Sequence, residues 1–91
     1  MTSRFDFLRI EADLAMTFIN AARIHSDPAN SARCLGNARK AFAEIQRGLM
    51  KATASGLSGD DVLFLEQRCA EIESELRLAE RIGSNQLRNA R

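Results

Sequence analysis

The chain contains no tryptophan or tyrosine, and only one proline, one histidine and two cysteines are spread over its 91 residues. Five phenylalanines are its only aromatic residues, and Val and Thr are scarce, so residues that favour strands are in short supply. Ala, Leu, Glu and Arg dominate instead, a composition suited to helices. One histidine and two cysteines do not make a four-ligand zinc site, and glycine-rich phosphate loops and nucleophile motifs are also missing. Basic and acidic residues nearly cancel, 13 against 12, which removes the positive excess of a dedicated nucleic-acid binder. No apolar run approaches the ~18 residues that span a bilayer. Arg4, Asp6 and Arg9 interrupt the apolar start, so no signal peptide is expected. These absences predict a cytoplasmic, non-enzymatic protein without cofactor, metal or membrane attachment, with Cys34 and Cys69 reduced.

What is present is helical periodicity in a chain long enough for one core. Ser3 and Asp6 form a capping-box pattern, and apolar positions then recur at helical spacing to His25. Ser26-Asp27-Pro28 closes that helix and opens the next, with Asp27 as cap and Pro28 at the first helical position. Leu35, Ala38, Phe42, Ile45, Leu49 and Ala52 follow in steps of three and four, predicting a second helix that ends near Gly56. Ser58 and Asp61 then make a second capping box, with Leu57 and Val62 placed as a hydrophobic staple. Val62, Leu65, Cys69, Ile72, Leu76 and Ala79 supply the third stripe, and Gly83 stands where a left-handed cap would end it.

The expected fold is therefore an all-α, antiparallel three-helix bundle over residues 1–83, built on a long hairpin of the second and third helices, with residues 84–91 as a flexible tail. Residues 28–56 carry net +4 and residues 58–82 net −4, so the two arms of that hairpin attract. Heptad positions reject a ladder of Arg33–Glu80, Lys40–Glu73 and Arg47–Glu66 and favour Arg39 with Glu73. Ala15 and Ala22 predict a close approach to Cys34, Ala38, Ala41 and Gly48, which places the tightest packing between the first two helices. A turn near residue 57 sets Cys69 about 16 Å along the axis from Cys34, too far for a disulfide, so both read as small core residues.

Phe18, Ala21, Ala22 and His25, followed by Cys34, Ala38 and Ala41, resemble the large and small packing positions of one tetratricopeptide helical hairpin. The long second helix and the third, with Arg68-Cys69 and Glu71-Ile72, are similar to the three-helix microtubule-interacting and trafficking domain. Glu75-Leu76-Arg77 stands where that family shows Arg-Ala-Glu. The resemblance implies a three-helix fold and a capacity to hold helical or extended tails in grooves.

Four features compete for a functional role. His25 reads as a packing or capping residue at the end of the first helix. Glu11 breaks the apolar arc of the first helix and, if buried, needs Arg47, Lys51 or Thr53. Arg33, Lys40, Arg47 and Lys51 form an outward basic stripe without interleaved aromatics; it reads as a solvated face, and a regulatory or nucleic-acid-binding role is the alternative it leaves. The apolar arc of the first helix spans about 200°, more than two neighbours require. Ile10 and Leu14 in that arc, with Phe64, Leu78 and Ile82 off the main seam of the third helix, are the candidate partner-binding residues. The favoured expectation is a protein-interaction module that binds a protein partner or a second copy of itself, the latter giving a homodimer.

Overall fold

A computed structural model describes residues 3–89, with side chains throughout except at Thr53, Ser55 and 82–89. Helix α1 (Arg4–Ile24) begins where the Ser3 hydroxyl accepts the Asp6 amide at 3.0 Å. It ends as His25 turns extended, its N–H still donating to the Ala21 carbonyl. Helix α2 (Pro28–Met50) starts on the Asp27 carboxylate, which accepts the Ala29 amide at 3.0 Å, and Pro28 occupies the first turn, where a missing N–H costs nothing. The Ser31 hydroxyl donates to the carbonyls of Ala22 (2.8 Å) and His25 (3.2 Å), fastening the start of α2 to the end of α1.

The second helix does not run unbroken to Gly56. At Lys51 the N–H is shared between the Arg47 and Gly48 carbonyls, both at 3.3 Å, and the helix tightens and stops. A single turn, α3 (Ala52–Ser55), follows. Gly56 then takes φ +75°, and the Leu57 N–H reaches back to the Ala52 carbonyl, closing a Schellman motif that a side chain at residue 56 would strain. Helix α4 (Gly59–Asn89) opens on a reciprocal box: the Ser58 hydroxyl accepts the Asp61 amide (3.1 Å) and the Asp61 carboxylate accepts the Ser58 amide (3.2 Å). Gly83 does not end this helix, which continues to Asn89. One helical glycine costs only about 1 kcal/mol, and no proline follows to stop the chain. Of the tail expected at 84–91, residues 90–91 lie outside the described range.

The three long helices pack against one another as an all-α bundle, and no strand occurs among the described residues. Leu8, Ile19, Ile45, Leu65 and Ile72 are fully buried at its centre, with Ala12, Ala15, Ala38 and Ala41 around them. The most extensive pairing is α1 with α2, not the α2–α4 hairpin. Its closeness shows at Gly48, where an added Cβ would stand 2.5 Å from a methyl of Leu8. The cross-hairpin ion pair is also displaced: Arg39 holds Glu80 at 3.0 Å, while Glu73, the expected partner, is taken by Arg77 of its own helix. Glu80 lies two turns further along the same side of α4. The α1–α4 seam carries Arg23–Glu75 and Asp13–Arg68 and an edge-on contact of Phe5 with Phe64, ring centres 5.7 Å apart.

Candidate interaction surface

The buried face of α1 runs through Leu8, Ala12, Ala15, Ile19 and Ala22. At 100° per residue, Phe7 and Leu14 lie about 100° and about 120° to one side of that line, and Ile10 about 160°, close to the opposite face. All three remain about half open, at 40, 40 and 47% exposure. Leu14, with Glu11 and Phe18, forms one wall of a groove of about 650 Å³ between α1 and α2, on the side away from α4. Leu14 and Phe18 from α1 and Ala41 and Ala43 from α2 give it apolar surface, while Asn37, Lys40, Glu44 and Arg47 line the α2 wall. A smaller recess of about 190 Å³ lies against Arg4, Arg47, Gly48 and Lys51.

Glu11 lines the groove, half-buried. The cations expected to meet it do not: Arg47 pairs with Glu44 on its own helix, and among the described residues neither Lys51 nor Lys40 forms an ion pair. The side chain of Thr53, the third expected partner, is not among those described. The reason for the mismatch is register. One turn on from the Leu8–Gly48 contact, antiparallel packing brings Glu11 level with Glu44 and Ile45, with Lys40 and Arg47 to either side on the same wall and neither paired with it.

The structure divides the candidate partner-binding residues rather than uniting them. Leu14 lines the α1–α2 groove, while Ile10, 47% exposed on α1, lies outside its lining. Phe64, 40% exposed, is half covered by Phe5 on the α1–α4 side. Leu78, 44% exposed, borders a shallow depression made by α4 alone, with Ala70, Ser74 and Arg77. Ile82 lies within α4, beyond the residues whose side chains are described. Sequence reasoning missed the α2 wall of the groove. Asn37, Ala41 and Glu44 share a side of α2, but only the rotation of α2 against α1 shows that this side faces Leu14.

The remaining candidates have ordinary surroundings. His25 is exposed at the end of α1, where its backbone serves the cap and Ser31. Cys34 and Cys69 are free thiols, both half-buried. Burial pushes the Cys69 thiol above its usual pKa, and the negative charges of Glu66 and Glu73 push it the same way, which holds it protonated and unreactive at neutral pH. Among the described residues no three His, Cys, Asp or Glu side chains gather as a metal site requires, and no helix is long and apolar enough to cross a membrane. No protein-family model matches the chain, and neither a curated protein nor a solved structure matches it at a significant level.

Proposed function

We propose that the chain is a non-enzymatic helical interaction module of the cytoplasm that associates with a second copy of itself. The observation that carries this reading is that three of the large apolar side chains left exposed, Phe7, Ile10 and Leu14, stand within two turns of one another on α1. Single exposed apolar residues are normal on a protein surface; a run of them along one helix beside a groove marks a contact surface. The resemblance drawn from Phe18 to Ala41 and from Arg68 to Ile72 supports the same reading, because both families it points to hold helical or extended segments in grooves. Two free thiols suit a reducing compartment.

Sedimentation equilibrium over a concentration series from micromolar to millimolar tests the proposal. The expected result is a mass that rises from one chain toward two with concentration. A single-chain mass throughout the series would end the self-association reading.

A further inference from the structure

Self-association alone does not say which surface is used, and the α1–α2 groove holds a pair of charges that its own chain leaves unmatched. We infer that, granted the self-association proposed above, the groove receives α1 of a second copy in a two-fold, antiparallel arrangement, with Glu11 of each copy meeting Lys40 of the other.

Leu14 is the midpoint of α1 (Arg4–Ile24) and sits on the exposed shoulder. A two-fold axis passing beside it lays α1 against its own copy in reverse direction, Leu14 on Leu14, so that the same patch serves both partners. Reversal carries Glu11 of one copy to the level of Thr17 and Phe18 of the other. There the opposite wall of the groove is Asn37 and Lys40, no longer Glu44. Glu11 and Lys40 line one groove without forming an ion pair within the chain. The two-fold brings each a partner of opposite sign, and Phe7, Ile10 and Phe18 supply the apolar contact around them.

The area is of the right scale. A compact monomer of 10.1 kDa exposes about 5,300 Å², whereas this chain exposes 6288 Å². The excess, about 1,000 Å², is spread over the whole chain, and the groove face supplies one share of it toward the roughly 800 Å² that each partner gives to a standard interface. Some of it belongs to α4, which at about 46 Å outreaches the roughly 31 Å of α1. Leu78, on the far side of α4, lies outside the proposed contact.

The test is sedimentation of the full chain beside four variants, with far-ultraviolet circular dichroism to establish that each is folded. Leu14→Arg is expected to weaken dimerisation by roughly a hundredfold or more and Leu78→Arg to leave it unchanged. Glu11→Lys and Lys40→Glu each weaken it by roughly tenfold, and the double exchange Glu11→Lys with Lys40→Glu restores it. A dimer that survives Leu14→Arg but is lost in Leu78→Arg would overturn the groove assignment and leave self-association standing. Failure of the double exchange to recover binding lost in the single ones would overturn the two-fold register. A wild-type chain that is monomeric at every concentration would remove both proposals together.

Discussion

Helix α1 meets α2 through small residues and α4 through large and charged ones, and the contrast explains where the molecule keeps its unused surface. Against α2, Leu8 rests on bare backbone at Gly48, and Ala38 and Ala41 are buried nearby, so the two helices sit as close as side chains permit. Against α4, an aromatic pair and the ion pairs Arg23–Glu75 and Asp13–Arg68 reach across and close the seam from outside. The first seam is closed from within by small side chains, and among the described residues no ion pair crosses it. Its outer shoulder therefore carries Phe7 and Leu14 into solvent, and the groove lies there.

The contrast breaks most readily at its closest point. Gly48→Ala should destabilise the fold by about 1–3 kcal/mol in urea unfolding, because the new methyl overlaps Leu8 in a packed site. Leu8→Ala costs more on its own, since it empties a fully buried position. The two together should be less harmful than their sum, as Leu8→Ala vacates the space that the new methyl at position 48 needs. Gly36→Ala is the control: a methyl there meets nothing within 4 Å, so only helix propensity acts and stability should rise by up to about 1 kcal/mol. Equal losses at Gly36 and Gly48 would show that the α1–α2 seam is not close-packed.

The opposite seam should yield far less. Arg68 is 23% exposed and shared between Asp13 and Glu71, which are 62 and 56% exposed. Arg68→Ala is expected to cost no more than about 1 kcal/mol, with the difference shrinking in high salt. A loss as large as that of Gly48→Ala, insensitive to salt, would mean that the ion pairs hold α4 in place and do more than border it.

How much of this was legible in the residues follows the range of the interaction. The Ser58–Asp61 box, the Asp27–Pro28 start and the Gly56 turn are written within a few residues, because caps bind backbone groups of their own turn. The close approach of the first two helices was legible too, since Ala and Gly at buried spacing have few other uses. Register was not. Arg39 finds Glu80 because Arg77 competes for Glu73, and a heptad wheel does not rank a neighbour on the same helix against one across the hairpin. For the same reason Glu11 was expected, if buried, to meet Arg47, Lys51 or Thr53, and half-buried it shares a groove with Arg47 while Glu44 takes that guanidinium. The groove needed the relative rotation of α1 and α2, which neither sequence contains alone; the wheel exposed only the α1 wall.

The third seam, between α2 and α4, offers the smallest effect and a different readout. Cys69 packs against the core on α4, its thiol pushed up first by burial and then by Glu66 and Glu73. In the unfolded chain that thiol ionises at its usual pKa, so over the window between the two values the native state holds more proton than the unfolded one. Stability must then fall as pH rises above the ordinary thiol range, and the contribution is fully retained below it. Urea unfolding at pH 7.5 and pH 9.5 should show a drop for the wild type that is smaller in Cys69→Ala. If the two proteins lose the same stability, Cys69 is as well solvated in the fold as out of it, and the α2–α4 seam is open to water at that level.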